Sequence, residues 1–363
     1  MRVGVLTFAN TNNYGAELQA YALRQTIERL GHDAELVDYR NPQVSSRETP
    51  RLPTPAELVR APKGAVSRAL KHAPLSQRHR AFERFRAARQ KTGPLVTSQR
   101  ELAERYDALV VGSDQVWNPT ITGADETYLL PEVDPRRTAK VAYAASFGYS
   151  TVPPTWARSC MRALPSFRAI GVREDEGAQI VRALTGRRAE VILDPTLLLD
   201  SRDWEKVTAP RIYEEPYVFT YVVQERALTL SLAREAARRL GARLVRVECY
   251  RPLPTMRCLD ASGASIEEFL SLVRHAELVV TSSFHGLALS LALGTEARFV
   301  LSSDANNKNS RIATLARVAG VEDHDALGAS LASTDWDRVR ERLGEARGRS
   351  LAFLREALGA GAP

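Results

Sequence analysis

Short apolar runs alternate along this chain with longer stretches whose apolar positions recur at helical spacing. Val3–Thr7 reads as a first strand, followed by a polar loop, Phe8–Tyr14. Gly15 then opens a predicted helix carrying Leu18, Ala22, Ile27 and Leu30, which Gly31-His32 stops. Ala34–Val37, Ala108–Val111, Ala139–Ala145, Ala169–Arg173 and Glu190–Leu193 are the next predicted strands. Between them, Asn41 to Pro55 reads as a Pro/Ser/Arg loop, and Ala56–Arg89 as a basic, interrupted helical insertion. Such strand–helix alternation predicts a doubly wound parallel sheet.

A second unit begins near Glu214-Glu-Pro216. Its predicted strands are Tyr217–Val223, Arg243–Val247, Leu278–Val280 and Arg298–Leu301. Its predicted helices are Leu228–Leu240, ended by Gly241, and Ile266–His275, where Ser265 and Glu268 form a capping box. Trp336–Leu358 closes the pattern as an amphipathic helix. The fold class expected is α/β, with two Rossmann-like domains facing a central cleft. Residues 1–205 form the first, with the insertion at about 56–91; residues 206–335 form the second; residues 336–363 are a helix packing back across a domain.

Composition narrows the function. A chain of 363 residues, 44% hydrophobic, can bury two ordinary cores. The first residues read as a strand and not as a signal peptide, and no apolar run reaches membrane-spanning length. Cys160, Cys249 and Cys258 fit neither a disulfide framework nor a CxxC metal site, which points to a cytoplasmic protein. The net charge of +7 is local: ten Lys/Arg against Glu83 give +9 between Arg60 and Lys91, leaving −2 elsewhere. Such a segment is either a solvated helical face or a dock for a phosphate-rich partner. No aromatic stacking platform accompanies it, so nucleic acid is not expected, and membrane contact would be peripheral at most.

The usual motifs are missing. Neither half has GxGxxG after its first strand, and GxxxxGK[ST], HExxH and GxSxG are absent. Instead, polar corners follow successive strands: Asn10-Thr-Asn-Asn-Tyr-Gly15, Gly112-Ser-Asp-Gln-Val-Trp-Asn-Pro119, Ala145-Ser-Phe-Gly148, Arg173-Glu174-Asp175, Asp194-Pro-Thr196 and Ser283-Phe-His-Gly286. Any one corner alone is more often structural. Together, at one end of parallel strands, they would line one crevice. His285, between a buried strand and an apolar helix, is placed for proton transfer beside free backbone N–H groups.

Asn13-Tyr-Gly15-Ala-Glu-Leu-Gln19-Ala-Tyr21, Gly112-Ser-Asp-Gln-Val-Trp-Asn118, Tyr143-Ala-Ala-Ser-Phe-Gly148, Val172-Arg173-Glu174, Leu193-Asp-Pro-Thr196 and Ser283-Phe-His-Gly286 resemble, in order, the motif series of the polysaccharide pyruvyl transferase family. The resemblance spans roughly residues 1 to 315. It implies transfer of a pyruvyl group from phosphoenolpyruvate to two hydroxyls of one sugar, forming a cyclic ketal, on a scaffold similar to the GT-B glycosyltransferases. Phosphoenolpyruvate is then a co-substrate, and neither a further cofactor nor a metal is expected. The family's donor-site arginine maps onto Arg173 and its histidine onto His285. The Asn306–Arg311 loop resembles the family's basic loop, bringing in Lys308 and Arg311.

The chemistry fits these residue types. Arginine meets carboxylate and phosphate through paired N–H donors. The expected donor site is Arg173, Ser283, His285, Gly286, Lys308 and Arg311. His285 is the expected proton donor to the vinyl methylene, and Asp114 the first choice as base, ahead of Glu174 and Asp194; Asp194 reads first as a turn cap. Asn13, Tyr14, Gln19, Ser113, Gln115, Ser146 and Glu174 are the expected acceptor-binding residues. The acceptor is a sugar or glycoside, and the basic segment favours an anionic or lipid-phosphate-linked one. Two alternatives stand beside this reading. One is a nucleotide-sugar-dependent glycosyltransferase, with Glu267 or Glu268 as nominal ribose ligands; the other is a non-catalytic saccharide-binding relative.

Overall fold

A computed structural model describes residues 1–44, 50, 52–248, 258–303, 309–328 and 333–359. Seven strands form a first, all-parallel sheet: β1 (Arg2–Leu6), β2 (Asp33–Tyr39), β3 (Thr92–Val96), β4 (Ala108–Val111), β5 (Ala139–Ala145), β6 (Ala169–Val172) and β7 (Glu190–Val191). Their order is β3-β2-β1-β4-β5-β6-β7. Five more, β8 (Tyr217–Val222), β9 (Arg243–Glu248), β10 (Leu259–Asp260), β11 (Leu278–Thr281) and β12 (Ala297–Phe299), form a second parallel sheet ordered β10-β9-β8-β11-β12. The architecture is therefore α/β, with two Rossmann-like halves.

Helices cover both faces of a parallel sheet, so its central strands read as unbroken apolar runs. β4, β5 and β8 are buried at every position. Strands at the sheet edges escape that rule. β3, which sequence reasoning missed, contains Gly93 and Pro94 and is largely exposed; proline is tolerated there because an edge strand need not donate on both sides. The two-residue β10 was missed as well.

In each sheet the strand order reverses once, between β1 and β4 and between β8 and β11. A crevice opens outside the carboxyl ends of the strands at such a point. The halves are held together around it by a continuous apolar core. Tyr14, in the first turn of the Tyr14–Arg29 helix, stacks on Phe269 of the second half at 4.2 Å between ring centroids, and its hydroxyl donates to Ala264 O at 2.7 Å. Phe82 and Phe85 of the Pro62–Arg89 helix join the same core. The Trp336–Leu358 helix places Phe353, Leu354, Ala357 and Leu358 behind the first sheet, while Val339, Leu343 and Ala346 pack into the second half's core.

Candidate active site

The two reversal points face one another across a cavity of about 310 Å³. The loop after β1 contributes Asn13 and the loop after β4 contributes Asp114, Gln115 and Asn118. From the second half come Val223 and Gln224 after β8, Ser282 to His285 after β11, and Arg311. Two helix N-termini converge here. Asn13 caps the Tyr14–Arg29 helix by accepting from Gly15 N at 3.0 Å and Ala16 N. Ser283 caps the Phe284–Leu293 helix by accepting from Gly286 N at 3.3 Å. The positive ends of both helices favour an anion between them.

His285 sits in the first turn of the Phe284–Leu293 helix. Its ring rests on Gly15 from the opposite half so closely that a Cβ there would lie 2.1 Å from His285 Nδ1. Glycine is thus required at position 15 by the approach of the imidazole. On the other side, His285 Nε2 lies 3.6 Å from Asp194 Oδ2 and 3.5 Å from Arg173 Nη1. Gly286 is confined in the same way, since a Cβ would lie 2.3 Å from Thr281 Oγ1.

Asp194 is the hub beneath the imidazole. One carboxylate oxygen accepts from Thr196 N and Thr196 Oγ1, capping the turn after β7. The other accepts from Ser113 Oγ at 2.8 Å and Arg173 Nη1 at 3.0 Å. Burial pushes the Asp194 carboxyl up, but His285, Arg173 and the Thr196 N–H together hold it well below the usual range. Sequence reasoning ranked Asp194 as a turn cap first; it is a cap and the partner of the histidine at once.

Arg173 is buried. Its Nη2 reaches Asp114 Oδ1 at 3.3 Å, and its guanidinium stacks on Phe284 at 4.5 Å. Burial acts to lower its pKa, but Asp114, Asp194 and Glu174 raise it. Arg311 differs. It is partly exposed to the cavity, in the first turn of the Ser310–Ala319 helix, and makes no hydrogen bond or ion pair among the described residues. Burial and the nearby Arg173 charge bring it down to about 10, so it remains a cation at neutral pH. The two terminal nitrogens of Arg173, expected as a donor clamp, are engaged by carboxylates, and among the described residues Arg311 is the guanidinium lining the cavity. Lys308 lies outside the described residues.

The acceptor assignments divide. Asn13 and Gln115 line the cavity. The five others are not among the residues that line it. Tyr14 is in the interdomain core; Gln19 donates to Thr7 Oγ1 and accepts from Ser113 N; Ser113 is spent on Asp194 and Ala144 O. Ser146 is fully buried, and Glu174 accepts from Phe147 N at 3.1 Å with its pKa raised by burial, against Arg173 and Arg311. These side chains shape the floor that carries Asp114 and Asp194. Gln224 and Asn118 were missed, the former because position 223 was read as the last residue of a strand. The nominal ribose ligand Glu268 is occupied by the capping box with Ser265.

Comparison with curated proteins gives no match. Among solved structures, the chain is similar over 100% of its length to 98% of Staphylococcus aureus MnaA in complex with UDP, at 10% identity and a TM-score of 0.51. Over 99% of its length it is similar to the whole of the Methanocaldococcus jannaschii UDP-GlcNAc 2-epimerase, at 10% identity and a TM-score of 0.50. The Neisseria meningitidis UDP-GlcNAc 2-epimerase bound to UDP-GlcNAc gives 99% and 100% coverage, 11% identity and a TM-score of 0.50. At such low identity these structural similarities show the fold alone, two Rossmann-like halves of GT-B-like type. A family model fits residues 13–304, a span that carries the cavity's motifs from Asn13 to Gly286, and the chain belongs to the polysaccharide pyruvyl transferase family.

Proposed function

We propose that this transferase moves a pyruvyl group from phosphoenolpyruvate to two hydroxyls of one sugar residue, releasing phosphate and leaving a cyclic ketal. The observation that carries the reading is the meeting, in one interdomain cavity, of His285 over Asp194 with Arg311 and two helix N-termini. A small anion carrying both a phosphate and a carboxylate fits that setting. Arg311 and the N–H groups behind Ser283 bind its phosphate and carboxylate.

His285 gives a proton to the vinyl methylene, and the adjacent carbon becomes electrophilic. A sugar hydroxyl adds there, its proton passing to Asp114. Phosphate leaves with the C–O bond pair and takes the proton held by Asp114, and the neighbouring hydroxyl adds to the same carbon, closing the ring and passing its proton to His285. Asp194, held ionised, stabilises the imidazolium before transfer and orients the ring, as a buried carboxylate does for a catalytic histidine. Arg173 positions Asp114 and Asp194 instead of gripping the donor. The experiment is a ligand panel read by thermal unfolding. Phosphoenolpyruvate is expected to raise the midpoint while nucleotide sugars do not; protection by a nucleotide sugar alone would favour a glycosyltransferase instead.

A further inference from the structure

The Pro62–Arg89 helix has two unlike ends. Its C-terminal part is fixed in the molecule: Phe82 and Phe85 are core residues, Arg78 donates to Glu248 O at 3.1 Å, and Arg86 pairs with Glu17 at 2.8 Å. Its N-terminal part projects with the preceding Pro55–Arg60 helix as an arm. Among the described residues from 52 to 70 only Ala65 is buried. Five of the twelve exposed large apolar side chains among the described residues fall in this short segment, while the others are scattered along the chain.

Val59 is 82% exposed, Val66 54%, Leu70 53% and Leu58 49%. Lys63, Val66 and Leu70 follow at i, i+3 and i+7, on one side of the helix. Exposed Arg60 and Lys63 flank the patch and make no hydrogen bond or ion pair among the described residues. The sole acid from 52 to 70 is Glu57, which is neutralised by Arg68 at 2.6 Å. At the root Arg78 and Arg86 are bonded inside the protein, whereas, among the described residues, Arg60 and Lys63 at the tip are not.

We propose that the tip formed by residues 55–70 is a membrane-docking element that seats on an anionic lipid bilayer, its aliphatic side chains entering the interface and Arg60 and Lys63 meeting lipid phosphates. Aliphatic side chains flanked by unpaired cations are what an interfacial helix requires. A nucleic acid would call for stacking rings, and no aromatic residue occurs from 52 to 70. Pairing with a second copy would set the same unpaired cations against each other. The root helix also touches the cavity's rim, for Arg86 donates to Thr11 O and Thr11 lines the cavity. The docking proposal does not depend on which reaction the cleft performs.

The test is co-sedimentation of the full chain with vesicles of phosphatidylcholine alone or mixed with phosphatidylglycerol. Binding is expected only to the mixed vesicles and should weaken with salt. Arg60→Ser/Lys63→Ser should lower partitioning about thirtyfold, and Val66→Ser/Leu70→Ser about tenfold or more. Both pairs are exposed, so the unfolding midpoint and turnover of soluble substrates should stay unchanged. Equal binding to neutral and anionic vesicles, or double variants that partition like the wild type, would overturn the proposal. So would a concentration-dependent dimer, or RNA binding, that the same substitutions abolish while vesicles are ignored.

Discussion

One methyl group added at Gly15 perturbs the site while leaving every polar side chain in place. The new Cβ would lie 2.1 Å from His285 Nδ1, 2.4 Å from Cγ and 2.8 Å from Cβ. Ordinary contact begins at 3.4 Å, so the imidazole must retreat by about 1.3 Å, or the helix must shift as far. Gly15 lies in the Tyr14–Arg29 helix and not among the glycines of positive φ, so alanine suits its backbone. In an ordinary helix the change would stabilise by about 0.5–1 kcal/mol, which offsets part of the clash. Displacing a reacting group by about 1 Å can cost about a hundredfold in rate. Gly15→Ala is therefore expected to lower kcat about a hundredfold, measured by phosphate release, with the unfolding midpoint nearly unchanged. Full turnover by Gly15→Ala would refute the reasoning.

Other substitutions separate the roles of neighbouring groups. Arg311→Ala should raise KM for the donor at least tenfold and leave stability within about 1 kcal/mol, because that guanidinium has no partner among the described residues. Tyr14→Phe should cost about 1–2 kcal/mol in denaturant unfolding by orphaning Ala264 O, with acceptor KM unchanged, since the ring lies in the interdomain core. Asp194 has a depressed folded pKa, so its contribution to stability is complete above the unfolded value of about 3.9 and fades as pH falls through the lower folded value. Asp194→Asn should accordingly be less stable than the wild type at neutral pH, with the gap narrowing under strongly acidic conditions, as urea titrations at several pH values would read. Equal gaps at all pH values would remove the proposed charge interactions.

Much of the fold is legible because buried parallel strands are continuous apolar runs. The predicted limits of β4, β5 and the Trp336–Leu358 helix coincide with those observed. β3 and β10 escape detection because edge strands need neither that run nor its length. For the site, the pattern identifies the loops but not which way their side chains face. Asn13 and Tyr14 are adjacent in sequence, yet one lines the cavity and the other fills the interdomain core. Gln19 and Ser113 read as polar ligand groups, while their bonds to Thr7, Asp194 and each other are contacts between distant segments that no local spacing encodes. The same holds for Arg173, whose two carboxylate partners come from separate strand ends.

Turnover is the most direct measurement: the protein incubated with phosphoenolpyruvate and a panel of sugar acceptors, with phosphate release and acceptor mass followed together. The account predicts one phosphate released for each pyruvyl group gained by an acceptor, and neither event with His285→Ala. Phosphate release without any gain in acceptor mass, or undiminished pyruvylation by His285→Ala, would contradict it.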